Sequence, residues 1–307
     1  MPAEADPSAP QGLLEIGRDE IRRHVLEGWD AFIATAEAAD LDKRSRLPGW
    51  RGAEICIHLG SWEDHRAMAG LLASARGEGP SSPVDVDDAN AAVTSKHRDA
   101  SHEEILAALR RNRDEVAAYL DDDAEDMRKL DRADVVATVG TLPLLTVVHA
   151  TVYELAVHGL DLMSVGAPAP PDDLLLHGVS ALADVTGALA ANLRITGGAV
   201  LSTPKGGWYF AADHGGWTTT PVEAGERKGK TPVVEAELVT LLDASAGRRN
   251  PVTMLASRAL KVHHMSGLLR LSPIVEKSPG IPGGPVLRLA ARTVGGAGGV
   301  IGRLTGR

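Results

Sequence analysis

Apolar residues recur at helical intervals through the first half of the chain. Leu13, Ile16, Ile21, Val25, Trp29, Phe32 and Ile33 predict a first helix from Leu13 to about Ala39. A Pro48-Gly49 turn leads into a second run, Gly52 to Ala75, with Ile55, Cys56, Leu59 and Trp62 as its apolar positions. Gly77 to Pro83 reads as a loop, and the polar stretch Asp85 to Ala100 has room for a short helix, either a lid or plain surface. Ser101 followed by Glu104 has the spacing of a capping box and opens a third helix, His102 to Leu120, with Ile105, Leu106, Leu109 and Val116 on one stripe. Residues 121–140 are mixed. Thr141-Leu142-Pro143 then introduces a fourth helix that runs to about Val165, with proline tolerated in its first turn.

The pattern changes after the Gly166–Pro171 linker. Asp172-Asp173 caps a bridging helix to about Leu193. From Gly198 the alternation becomes that of strands: Ala199 to Ser202 pairs with Trp208 to Ala211 across a Pro204–Gly207 turn, and Trp217 to Thr220 and Pro232 to Ala236 are two more. Glu237 to Ala244 and Pro251 to Arg258 read as helices, Leu260 to Val262 as a strand, and Met265 to Val275 as a last helix. These elements predict a helix bundle over residues 12–166, a bridging helix at 167–197, a smaller α/β domain at 198–277 and a Gly/Pro-rich basic tail at 278–307. Residues 1–11, acidic and Pro/Ala-rich, are expected to lack structure, and the tail to be either mobile or a basic arm.

Composition narrows the function classes. A length of 307 residues suits two domains, and a net charge of −9 disfavours nucleic acid as a partner. The single cysteine, Cys56, allows no intrachain disulfide and fits a reducing compartment. No leader-like apolar segment opens the chain, and no apolar run matches a membrane span, so the expected location is the cytoplasm. The expected partner is a small-molecule substrate, with no membrane and no nucleic acid, for a monomer or small homo-oligomer.

The candidate chemistry lies in Val148 to Met163, VHATVYELAVHGLDLM. Glu154 and His158 are four residues apart, which stacks them on one helical face. Among apolar neighbours such a pair needs a partner: either a divalent metal or a mutual hydrogen bond satisfies it. Asp161, three residues on, could orient an imidazole, whereas His149 should point away. His58, on the second helix, could complete a two-His, one-Glu set that leaves a position open for water or substrate. His65, seven residues after His58, shares its face one layer away, at the rim or against a bound molecule. Cys56 points elsewhere and reads as a core residue.

Two motifs carry a resemblance. Leu47-Pro48-Gly49-Trp50 precedes a helix with His58-Leu59-Gly60, and Glu154, His158, Asp161 and Leu162 form a Glu-x-x-x-His-x-x-Asp-Leu helix. The chain resembles the mycothiol-dependent maleylpyruvate isomerase family, a branch of the DinB-like four-helix bundles. The resemblance implies that His58, Glu154 and His158 bind a divalent metal, most simply Zn2+. It also implies a sterol carrier protein-like α/β domain after the bundle, with Arg258 to Val262 as its loosely matching Arg-x-Leu-x-Val segment. Mycothiol or a similar low-molecular-weight thiol would be the cosubstrate, near His65 and Trp62. It would isomerise or S-conjugate a small, carboxylate-bearing electrophile such as maleylpyruvate. Lys205, Arg248 and Arg249 are candidates for the cation that holds the substrate's carboxylates; solvated surface charge is the alternative. A metal-dependent hydrolase on the same site and a non-catalytic small-molecule binding protein are the competing readings.

Overall fold

The structure, a computed structural model, describes residues 9–79, 86–137 and 139–277. The expectations for residues 1–8, for part of the 77–83 loop and for the 278–307 tail lie outside these. The chain divides into two compact units. One is Ile16–Ala181; the other joins the segment up to Glu15 to everything from Leu182 onward.

The first body is mainly helical. Its first helix, α1, is Arg18–Glu37, shorter than expected, because Gly17 at φ 99° separates it from a 3-10 turn at Gly12–Ile16. Then come α2 (Gly52–Leu59), α3 (Ala67–Ala75), α4 (Val86–Lys96), α5 (His102–Asp121) and α6 (Glu125–Leu130). The expected helical start at Thr141 is a strand instead: β1 (Asp134–Ala137) pairs antiparallel with β2 (Gly140–Pro143), and Pro143 is the N-cap of α7 (Leu144–Leu162). The chain then passes a 3-10 turn at Met163–Val165 and enters α8 (Asp172–Asn192), within which the division of the chain falls.

Helix α1 packs on α5 and α7, and α2 packs on the same two helices, which closes a ring of four. Ile21, Val25, Trp29 and Phe32 of α1 fill its centre at four- and three-residue spacings. The start of α1 is fixed to the end of α5 by Arg18, which pairs with Asp131 and donates to the carbonyl oxygens of Leu120 and Asp122. The Ser101–Glu104 capping box forms as expected, with Ser101 N donating to Glu104 Oε2 at 2.7 Å. Helix α8 corrects the expectation that no segment matches a membrane span: its 21 residues are long and apolar enough, but 89% of that window is buried inside the protein.

Three imidazoles meet in this body. His24 of α1 stacks on His177 of α8 at 3.7 Å between ring centroids, with His149 of α7 at 6.1 Å from His24. His149 faces inward, away from Glu154 and His158, as its nine-residue offset from His158 suggests. Glu20 supplies a carboxylate to His24 at 3.0 Å, and among the described residues His149 Nε2 has Ser180 Oγ at 3.4 Å. Burial pushes His149 down to about 3 and His177 to about 4.

The second body is a five-stranded sheet with helices. Its strands are β3 (Gly197–Thr203), β4 (Gly206–Asp213), β5 (Gly216–Val222), β6 (Val233–Ala236) and β7 (Leu260–His263). Their order is β5-β4-β3-β6-β7, antiparallel except for the β3–β6 pair. The helices are α9 (Leu238–Ser245), α10 (Pro251–Ala256), α11 (Met265–Leu268) and α12 (Ser272–Lys277). The expected last helix is thus broken, by a 3-10 turn at Leu269–Leu271.

The start of the chain, expected to be unstructured through residue 11, is bonded to this sheet from Pro10 onward. Trp217 N donates to Pro10 O at 2.8 Å. Buried Asp184 accepts at one oxygen from Leu13 N (3.0 Å), Trp217 Nε1 (2.8 Å) and Thr219 Oγ1 (2.7 Å). Among the described residues its other oxygen has no hydrogen-bond partner, and burial raises the acid to about 6 against those three bonds.

The buried histidines His149 and His177 and the buried Asp184 therefore respond to acid with opposite sign. Histidines that stay neutral when folded favour unfolding once the unfolded chain takes up protons, so these two cost the helical body stability as pH falls below about 6.5. Asp184 holds its proton to a higher pH than an unfolded aspartate, so its contribution is complete below about 3.9 and is lost as pH rises through 6. Hydrogen exchange between pH 4 and 7 should show falling protection of α1 and α7 toward acid, with a smaller fall in His149→Leu. Asp184→Asn should remove the pH dependence of protection in β5.

Candidate metal centre

The site begins with a loop that turns back on itself. Ser45 donates to Trp50 O through both its backbone N and its Oγ, each at 2.9 Å, and Trp50 N donates to Leu47 O at 3.1 Å. Gly49, at φ 83°, takes the left-handed conformation the turn requires. Arg46 N donates to Ser164 Oγ at 2.9 Å, which ties the loop to the turn after α7. Trp50 is thereby placed beside the start of α2 and the end of α7.

Helix α2 ends at Leu59, far short of the expected Ala75. Three side chains satisfy the carbonyls around this end: Asn112 Nδ2 donates to Leu59 O (2.7 Å), Trp62 Nε1 to Ile57 O (2.9 Å) and Arg111 Nε to Ser61 O (3.1 Å). Gly60 is extended, and Trp62 and His65 exchange backbone hydrogen bonds at 3.0 Å across a tight turn. His65 is therefore not one helical layer below His58, as one continuous helix would place it. It is half-buried and close enough that its charge bears on His58. Trp62 is buried, with its ring stacked on His97 at 4.0 Å.

His58, in the last turn of α2, meets the Glu154/His158 face of α7. One donor atom from each of the three lies within 4.8 Å of the others. His58 Nε2 and His158 Nε2 face each other at 3.1 Å, and Glu154 Oε2 is 3.4 Å from His158 Nε2. The buried-carboxylate expectation is corrected: Glu154 is exposed, its side chain 48% accessible, while His158 is buried. The donor set opens to solvent on the glutamate side.

The other ring nitrogen of His158 is held from behind. Nδ1 lies 2.9 Å from Asp161 Oδ2, and Asp161 Oδ1 accepts from Arg46 Nε at 2.7 Å. Asp161 has no accessible surface, and its two oxygens face Arg46 Nε and His158 Nδ1, the partners a buried carboxylate needs. Burial opposes a charge on His158; the hydrogen bonds to Asp161 and Glu154 outweigh it and raise its pKa. Burial together with the neighbouring His158 pushes His58 down to about 3, which leaves that ring neutral with a lone pair to offer. Trp50 packs edge-on to His58 at 5.3 Å and nearly parallel to His158 at 6.4 Å.

These donors fit a divalent ion. With Asp161 accepting from Nδ1–H, a neutral His158 would have its Nε2 lone pair free for a cation, and His58 Nε2, 3.1 Å away, could supply a second. Two bonds of 2.0–2.1 Å at a tetrahedral angle separate their donor atoms by about 3.3 Å, close to the two spacings seen here.

Cys56 is enclosed in the core, and burial pushes its thiol up, as its apolar surroundings suggest. Lys205, Arg248 and Arg249 belong to the second body: Lys205 is in the β3–β4 turn, and the backbone N–H groups of Arg248 and Arg249 donate to Asp243 O after α9. Arg46 and Trp50 were not singled out as site residues. Their one signal was adjacency to the Pro-Gly turn that precedes the histidine helix.

The first body is thus mainly helical and carries an open, three-donor site suited to a metal ion. Residues 22–163, most of the helical body, match the family model of the mycothiol maleylpyruvate isomerase N-terminal domain. A crystal structure of the mycothiol-dependent maleylpyruvate isomerase aligns over 78% of this chain and 92% of its own, with 18% identity and a TM-score of 0.50. A histidine-to-alanine mutant of that isomerase aligns over 82% and 95%, with the same identity and TM-score. At this identity the likeness establishes a shared mixed helix-and-sheet fold. No curated protein sequence matches the chain.

Asp161→Asn keeps one acceptor and removes the charge behind His158. It should weaken zinc binding on the order of 10–100-fold, measured by chelator competition, with far-UV circular dichroism unchanged.

Proposed function

We propose that this protein is a metal-dependent enzyme that uses a low-molecular-weight thiol, mycothiol or a close analogue, to isomerise or S-conjugate a small electrophile such as maleylpyruvate. The observation that carries the reading is the convergence of His58 Nε2, His158 Nε2 and a Glu154 carboxylate oxygen at the solvent-facing end of the pair. In this reading the helical body is a DinB-like four-helix bundle, supported by the closed packing of α1, α2, α5 and α7, and the sheet body is its sterol carrier protein-like companion.

A divalent ion held there, most simply zinc, would lower the pKa of a thiol and polarise a carbonyl. The residues of the chain divide the remaining work. His58 is neutral and offers its lone pair; Asp161 keeps the His158 proton on Nδ1, so that Nε2 is the donor. Glu154 adds the one negative charge of the donor set. Trp50 covers the imidazoles on one side and limits the approach of water there. In this reading the thiol lies near His65 and Trp62, which share a tight turn just beyond His58.

The nucleophile has to come from outside the chain, because the thiol of Cys56 is enclosed. Addition of the external sulfur to a conjugated double bond turns it into a single bond. Rotation and elimination then restore the alkene in the other geometry and return the thiol; retention of the sulfur gives conjugation instead.

Zinc-loaded protein should turn over maleylpyruvate only when thiol is added. His58→Ala and His158→Ala should lose stoichiometric zinc while keeping their helicity. Their thiol-dependent rate should fall about a thousandfold, as expected when several kcal/mol of charge stabilisation is removed. Full metal retention in both variants would overturn the ligand set, and thiol-independent turnover would make the site hydrolytic.

A further inference from the structure

The Arg44–Arg51 loop carries positive charge that the donor set does not use. A cavity of about 650 Å3 lies over it in the helical body, lined by Arg44, Arg46, Arg51 and Arg98 against the acidic Glu54 and Asp99. In a chain of net charge −9, this lining holds two more basic than acidic residues. Arg51 is the hub. Its backbone pairs antiparallel with that of Arg44, and its Nη2 donates to the Arg98 carbonyl oxygen at 3.3 Å. Arg44 and Arg98 are thus pinned beside Arg51 from two separate segments of the chain.

Two of the four guanidinium groups are committed. Arg51 Nη2 also donates to Glu54 Oε1 at 2.9 Å, and Arg46 is paired with buried Asp161 at 2.7 Å. Arg44 and Arg98 are exposed, and among the described residues their side chains make no hydrogen bond or ion pair. Of the acidic residues on the lining, only Asp99 is left to offset them. Like charges gathered at one place repel, and an anion that joins them relieves the repulsion.

We propose that this cavity binds a phosphate group through Arg44 and Arg98, as the free ion or as the head of a small phosphate ester, at a site separate from the three metal donors. A compact dianion matches the two-group excess of positive charge on the lining. Each guanidinium fork pairs its N–H donors with two oxygens, and a tetrahedral phosphate offers oxygens to two forks around one centre. The cavity volume falls within the roughly 300–1,000 Å3 usual for small-molecule sites, which leaves room for an organic substituent beside Trp50. Because both free arginines are exposed, binding should weaken as salt is added.

The test is calorimetric titration of the full chain with inorganic phosphate and with glycerol 3-phosphate, with acetate and maleate as anions of other charge and shape. Phosphate should bind more tightly than either carboxylate. Arg44→Gln combined with Arg98→Gln should weaken it about tenfold or more, with far-UV circular dichroism unchanged. Arg44→Lys with Arg98→Lys should recover part of the loss, since the charge returns without the fork. His58→Ala should bind phosphate as the wild type does. Tighter binding of glycerol 3-phosphate would identify an ester as the occupant; equal or weaker binding would identify the free ion, and both support the phosphate site.

Undetectable phosphate binding to the wild type would overturn the inference, as would binding that the arginine pair does not affect. Maleate binding as tight as phosphate would overturn the phosphate assignment. Loss of phosphate binding in His58→Ala would place the anion on the metal and overturn the separate site. The thiol chemistry proposed above stands or falls independently of these results.

Discussion

A carboxylate with no access to water stands behind the whole site. Asp161 accepts from Arg46 on one oxygen and faces His158 Nδ1 with the other. Removing either partner would leave a buried charge uncompensated, a loss of several kcal/mol. The arrangement therefore couples three things that could otherwise drift apart: the tautomer of His158, the position of the Arg44–Arg51 loop and the packing of Trp50 against both rings. Helix α2 is positioned from its other end by Asn112 and Trp62. His58 and His158 thus approach each other from two independently anchored helices.

The parts of this legible in the sequence are those that depend on local periodicity. Glu154 and His158 share a face because they are four residues apart, and Asp161 falls behind His158 because it is three further on. The Ser101–Glu104 cap, the long helices and the alternation of the sheet are local in the same sense. His58 was readable through a motif rather than through spacing, since it lies 100 residues from His158.

What escaped the sequence depends on distant partners. The Gly52–Ala75 run reads as one helix, yet it breaks at Leu59, where side chains from α5 and from the following turn satisfy its last carbonyls. The Thr141–Pro143 segment reads as a helix start but pairs with β1 as a strand. Arg46 joins the site through Ser164 and Asp161, contacts more than 100 residues away in the chain. The start of the chain is held by Asp184, a residue 171 positions from Leu13. The exposure of Glu154 escaped for a different reason: an apolar helix suggests burial all round, and it takes the surrounding helices to show which side stays open.

The only sulfhydryl group in the polypeptide is walled off by core residues. Reagents that alkylate or oxidise accessible sulfhydryls would leave this polypeptide's own sulfhydryl unmarked. If its catalysis borrows sulfur from a diffusible carrier, its output follows the size and redox state of that carrier's pool rather than any modification of its own chain.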